Sequence, residues 1–245
     1  MATIQFKPAL IKTKNVRNLE VMMDGLAVLD GDGCMAAVCS DPGKGKTYSC
    51  MAWAAQHNAV YMRSQYIWRG SELEFIQGLS RAIGIANPYG TRGKCYLDVV
   101  DRLNGSNRAI FIDEMQRLPR GFLNIVLDLA DITGCPVVLI GEMELKSMMQ
   151  ENKRIWSRTF RFLEYEPINP VDIMLYATET TGIRLNNTIA SILHRASEGD
   201  FRLVKRAMIA LVQFVNAKGP GEDGVPAISE EMARIAADEG LKGRR

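Results

Sequence analysis

The residues best equipped for chemistry in this chain are Ser40, Asp41, Pro42, Gly43, Lys44, Gly45, Lys46 and Thr47. They follow a short apolar run, Met35 to Cys39, and lead into a helix-compatible stretch, Tyr48 to Gln56. A strand, a tight loop and a helix N-terminus together aim backbone N–H groups and the helix dipole at an anion. The spacing is that of the phosphate-binding pattern G-x-x-x-x-G-K-[ST], with Ser40 in place of the first glycine. Gly43 and Gly45 let the backbone approach phosphate. Lys46 is placed to reach β- and γ-phosphates, and Thr47 to put its hydroxyl on Mg²⁺. The nucleotide-contacting segment is therefore expected at residues 40–48, Tyr48 included.

A second pair of groups completes this chemistry. Ala109 to Ile112 is an apolar run ending in Asp113-Glu114, the Walker B pattern. Asp113 can hold Mg²⁺, directly or through water, and Glu114 can polarise an attacking water. The sequence between Thr47 and Ala109 has room for the helix, strand and helix that a parallel sheet needs.

These groups must be held by regular elements, and the hydrophobic pattern supplies them. A helix is expected from Asn18 to Leu29, after a polar arm over 1–17. Strands are expected at 35–39, 59–62, 109–113, 136–140 and 160–164. Helices follow at 71–83 (capped by Ser71), 96–103, 120–133, 144–150 and 153–158. Residues 63–70 and 87–94 read as polar, basic loops. Pro167 and Pro170 mark a boundary, beyond which no strand is expected. Four helices are read over 171–181, 187–197, 201–217 and 229–239. Turns are expected at Gly31-Asp32-Gly33 and 218–226, and Lys242 to Arg245 form a basic tail.

Composition narrows the classes. Of 245 residues, 47% are hydrophobic, enough for a sizeable core. A formal charge of +2 makes any basic surface local. Five cysteines without C-x-x-C spacing read as reduced thiols in a cytosol; no His/Cys cluster suggests a metal site, and His57 and His194 read as structural or surface residues. No signal peptide or membrane span is visible.

Five strands alternating with helices, then a helical bundle, with motifs after the first and third strands, resemble the AAA+ ATPases over nearly the whole chain. Within them the chain looks most like the phage Mu transposition protein B group and related transposon target-selection ATPases. The residues carrying the closer match are 37–47, Ile112 to Glu114, Val137 to Gly141, Trp156 to Arg158 and Gly199 to Arg202. The resemblance implies an α/β fold, an AAA+ P-loop NTPase with a five-stranded parallel sheet core followed by a small all-helical lid. The domains would be 1–167 (with the arm 1–17) and 168–245. It implies ATP and Mg²⁺ as cofactors and a site shared between subunits. Glu142 falls at the sensor-1 position, where the family usually has a neutral polar residue. Arg158 matches the arginine finger, with Arg154 as the alternative, and Arg202 matches the sensor-2 arginine.

The phage Mu protein carries an extra N-terminal DNA-binding domain, and none is expected here. DNA contacts are then expected from loops after the second strand and its following helix: Tyr66, Trp68 and Arg69, and Thr91, Arg92 and Lys94. The implied protein is a cytoplasmic, bacterial-host ATPase that oligomerises as a ring or filament on double-stranded DNA and activates a transposase, with hydrolysis driving disassembly. A helicase loader of the same superfamily and a P-loop small-molecule kinase are the alternatives. The helical lid and the Asp113-Glu114 pair argue against the kinase.

Overall fold

A computed structural model describes residues 3–29, 34–219 and 228–241. The turn expected at 31–33, most of that at 218–226 and the basic tail lie outside them. The elements run α1 (Lys14–Val28), β1 (Met35–Cys39), α2 (Lys46–Gln56), β2 (Val60–Arg63), α3 (Glu72–Ala82), α4 (Arg92–Leu103), β3 (Ile110–Asp113), α5 (Phe122–Thr133), β4 (Val137–Gly141), α6 (Met143–Glu151), α7 (Lys153–Arg158), β5 (Thr159–Glu164), α8 (Pro170–Thr181), α9 (Asn187–Ser197), α10 (Phe201–Lys218) and α11 (Glu230–Leu241). Short 3₁₀ turns occupy Tyr66–Gly70 and Met115–Arg117.

The sheet is all parallel, in the order β2-β3-β4-β1-β5. How apolar each strand is separates the central strands from the edges. Every residue of β1, β3 and β4 is buried, as a strand covered by helices on both faces requires. β2 and β5 expose polar side chains such as Arg63 and Arg161 and take the edges. The central order brings the carboxyl ends of β1, β3 and β4 side by side, which is where an open α/β sheet binds ligands. One core face gathers Phe75, Leu103, Ile112, Leu123 and Leu139; the other gathers Leu19, Met22, Phe111, Val138 and Ile140.

Local chemistry sets the boundaries. Ser71 Oγ accepts the Glu74 N–H at 3.2 Å and starts α3. α5 ends at Gly134, whose φ of 66° is the left-handed stop that glycine adopts without strain. α1 begins at Lys14, earlier than the apolar pattern predicts, because Thr13 Oγ1 accepts the Val16 N–H at 3.3 Å.

The chain forms two compact units. The sheet unit is 17–41 and 46–165; the helical unit is 1–16, 42–45 and 166–245. Within the helical unit, Asn169 and Asp172 form a capping box with Pro170 in the first turn of α8. Its core is built from residues such as Ile173, Leu193, Val204 and Leu211. The N-terminal segment is packed, not a loose arm. Ile4 exchanges two 2.9 Å hydrogen bonds with the Asn216 side chain, and the Lys7 N–H donates to the Thr180 carbonyl at 2.7 Å.

Candidate nucleotide and nucleic-acid sites

β1 ends at Cys39 and α2 begins at Lys46. Between them Gly43 and Gly45 adopt φ values of 85° and 90°, backbone that a side chain would strain. Lys46 is buried, and its ammonium donates to Ser40 O (2.8 Å), Ser40 Oγ (2.9 Å) and Asp41 O (3.0 Å). An ammonium has three protons, so the set is complete, and a phosphate would have to displace at least one partner. Ser40, the departure from the glycine pattern, adds one of these acceptors while its own hydroxyl donates to Asp41 O. Burial lowers the Lys46 pKa, against the pull of Cys39, Glu142, Asp113 and Glu114. Burial also pushes the Cys39 thiol up to about 12, which keeps it neutral beside the lysine.

Asp113 is buried at the end of β3, and every lone-pair direction it uses is directed. Thr47 Oγ1 donates to Oδ2 at 2.8 Å, Tyr61 Oη to the same oxygen at 2.7 Å, and the Glu114 N–H to Oδ1 at 2.8 Å. Burial first, and then this hydrogen bond to a carboxylate, raise the Tyr61 pKa, so Tyr61 stays a donor. The Thr47 hydroxyl and the Asp113 carboxylate are hard oxygen donors a hydrogen bond apart, and they fit Mg²⁺.

Glu114 holds a left-handed backbone (φ 59°, ψ 34°), unusual for a side chain of this size. Its carboxylate is clamped. Arg63 Nη2 reaches Oε1 at 3.1 Å, while Arg117 Nε (2.9 Å) and Gln116 Nε2 (3.0 Å) reach Oε2. Sequence reading passed over Tyr61, Arg63, Gln116 and Arg117. The signal available for them was position alone: the neighbouring strand β2 for Tyr61 and Arg63, and the turn after Glu114 for Gln116 and Arg117.

The remaining expected residues divide. Glu142 is exposed at the N-cap of α6, and Tyr48 is half exposed on α2. Asp41 and Pro42 are exposed, and Lys44 partly so. Arg158, at the end of α7, pairs with Asp131 at 3.6 Å; Arg154 pairs with Asp128 at 3.8 Å and is the more exposed. In the helical unit the Phe201 N–H donates to the Gly43 carbonyl at 2.8 Å. The Asp200 carboxylate caps α10 and fills the space that a side chain at Gly43 would need. Arg202 is exposed on the same first turn.

The basic segments need correcting. Trp68 is buried: its ring covers Gly78, where a Cβ would collide with it, and meets Phe75 edge-on at 6.3 Å. It anchors the 3₁₀ turn instead of facing outward, because an indole gains more from the core than from water. Tyr66 is exposed and carries Arg69 over its ring at 4.9 Å. Arg92 and Lys94 lie in the first turn of α4, not in a loop, with Thr91 as the N-cap, and Arg92 pairs with Glu72. Arg69 and Arg92 nevertheless line one open cavity of about 560 Å³ with Pro119 and Phe122. No group of three or more His, Cys, Asp or Glu among the described residues could hold a metal, and no described helix is long and apolar enough to cross a membrane.

Sheet order, phosphate-loop geometry and the acid pair after β3 are those of an α/β P-loop fold, and the family described as "AAA domain" matches residues 30–149. In sequence the chain is similar to the Mu-like prophage FluMu DNA transposition protein B of Haemophilus influenzae, 21% identical over 198 residues, 78% of this chain and 68% of that protein. It is also similar to the ATP-dependent target DNA activator B of Escherichia phage Mu, 25% identical over 154 residues, 63% of this chain. The matched part spans about half of that activator, 48% of its length. In fold it is similar to the Aeropyrum pernix ORC2 protein (TM-score 0.66, 15% identity, 96% of this chain and 69% of that one). Cdc6p from Pyrobaculum aerophilum is also similar (TM-score 0.63, 13% identity, 97% and 82%).

Proposed function

We propose that this chain is an ATP-dependent, DNA-binding regulator of transposition. It assembles on target DNA with ATP, delivers that DNA to a transposase or activates the transposase, and leaves after hydrolysis. The observation that carries the reading is the set Lys46, Thr47, Asp113 and Glu114 converging at the carboxyl end of the sheet, in a chain whose sequence relatives are named transposition protein B and target DNA activator B. ORC and Cdc6 folds favour a second reading, a replication-type loader.

In this reading Lys46 holds β- and γ-phosphates, and the loop N–H groups of 43–47 hold the rest of the polyphosphate. Thr47 and Asp113 would hold Mg²⁺, which supplies charge neutralisation to the phosphates when bound. Glu114 takes a proton from the attacking water once it is released from Arg63 and Arg117. Arg158 acts on a neighbouring subunit's phosphate, and Arg202, on the helical lid from residue 168, acts on its own. Tyr66, Arg69, Arg92 and Lys94 contact the DNA backbone, with Thr91 beside them. Trp68 supports that surface from within.

The test is ATP turnover with and without duplex DNA, followed by electron microscopy with and without ATP. DNA-stimulated turnover and ATP-dependent assemblies on DNA are expected. Stimulation of a transposase encoded beside this chain separates the transposition reading from the loader; loading of a helicase instead would reverse the choice.

A further inference from the structure

The Gln116 side chain has two ends, and only one is accounted for. Its Nε2 donates to Glu114 Oε2 at 3.0 Å, which fixes the orientation of the amide, since a carboxylate accepts and does not donate. The Oε1 end is therefore an acceptor. It is buried and has no hydrogen-bond partner among the described residues. It lies against Gly141, the last residue of β4, where a Cβ would collide with it. Gly141 pairs with Cys39, the residue before Ser40, so the unpaired oxygen sits at the carboxyl end of the sheet, which the phosphate loop and Glu114 share.

A buried acceptor with no donor is costly to maintain, and such groups cluster where a ligand completes them. The donor needed here is small, since Gly141 leaves only a close gap, and it must sit beside the Glu114 carboxylate. A water molecule has two O–H bonds and meets both requirements. We infer that Gln116 is a catalytic residue that positions the attacking water: its Oε1 accepts one O–H while Glu114 accepts the other. This rests on the ATPase reading above.

A glutamine can orient a hydrolytic water in P-loop chemistry. As the water oxygen bonds to the γ-phosphorus, one proton passes to Glu114. The bond from phosphorus to the bridging oxygen breaks, and ADP leaves with that bonding pair. Position 142 carries a carboxylate and not a neutral polar side chain. Glu142 is exposed at the N-cap of α6, and the neutral amide next to Gly141 comes from Gln116 instead.

The experiment compares wild type, Gln116→Ala and the shape-preserving Gln116→Met. It measures ATP turnover, melting temperature, and binding of ADP–beryllium fluoride and ADP–aluminium fluoride. The first complex mimics the ground state and the second the in-line transition state with its water. Both variants are expected to lose about 10²-fold in kcat. Both should bind beryllium fluoride within about threefold of wild type and lose affinity selectively for aluminium fluoride. Wild-type kcat in either folded variant overturns the inference, as does equal weakening of both analogue complexes, which would mark a structural role. If Gln116→Ala does not fold, the same outcomes are read on Gln116→Met. A wild-type chain that binds ATP yet never hydrolyses it, with or without DNA, fails the ATPase reading itself; failure confined to the variants' readout leaves that reading intact.

Discussion

The carboxyl edge of the sheet and the basic surface around Tyr66 and Lys94 are both rich in charge, and they are organised in opposite ways. At the carboxyl end of the sheet Lys46 and Asp113 are buried; Lys46 uses all three of its protons and Asp113 accepts three hydrogen bonds, all within 3.0 Å. On the basic surface Arg69, Arg92 and Lys94 are exposed, and Arg92 shares its charge with a solvated glutamate. Buried charges demand geometry because desolvation must be offset atom by atom. Exposed charges need only be in the neighbourhood of a phosphate. Single substitutions should therefore act steeply at the first region and gradually at the second.

The largest expected effect is that of Lys46→Ala. It removes a buried cation able to make two charge-assisted hydrogen bonds of about 1.5–3 kcal/mol each, so ATP affinity should fall by about 10³-fold. Titration with a nucleotide analogue checks this. Undiminished affinity in a folded variant would falsify the phosphate-loop assignment and erase the contrast between the regions.

Arg158 sharpens the contrast because it is a half-buried cation paired with Asp131, while its proposed role belongs to the site. Arg158→Ala should bind ATP normally and lose about 10³-fold in turnover, at the low end of the range for arginine fingers. Glu114→Gln should lose about 10²–10⁴-fold and leave assemblies persisting on DNA. Mixing the two inactive variants should restore part of the activity, since one mixed interface pairs an intact Glu114 with an intact Arg158. If mixed assemblies form without any recovery, and Arg158→Ala alone turns over at the wild-type rate, then Arg158 is a surface residue.

On the basic surface, replacing Arg69, Arg92 and Lys94 together should weaken DNA binding about equally for all sequences, because phosphate contacts carry no base information. The slope of log affinity against log salt should flatten by roughly 0.9 per lost contact. Fluorescence anisotropy across a salt series reads both. An unchanged slope would move the DNA to another face. The smallest effect is expected from Arg154→Ala: an exposed pair 3.8 Å apart contributes at most about 1 kcal/mol, and turnover should stay near wild type. Turnover falling as far as in Arg158→Ala would transfer the finger to Arg154.

The phosphate loop and the strand carrying Asp113-Glu114 were legible in the linear order of residues, because their chemistry is local. Glycines permit a turn, an apolar run forms a buried strand, and a lysine follows at fixed spacing. The parallel fold was legible for the same reason, since each strand is short, apolar and separated from the next by a helix. Trp68 shows the limit. Its neighbours in sequence are polar and basic, so it read as part of an exposed loop, and only the approach of Gly78 on α3 gave the indole a place in the core. Arg92 and Lys94 read as loop residues because Gly93 interrupts the helical pattern, yet α4 begins at Arg92, its apolar side held by Cys95, Val99 and Leu103 in the core. The clamp on Glu114 and the unpaired oxygen of Gln116 required the tertiary structure outright. They depend on β2 and the end of β4 lying beside β3 in space, and strand order is set by the packing of whole helices on the sheet, which no local stretch of sequence encodes.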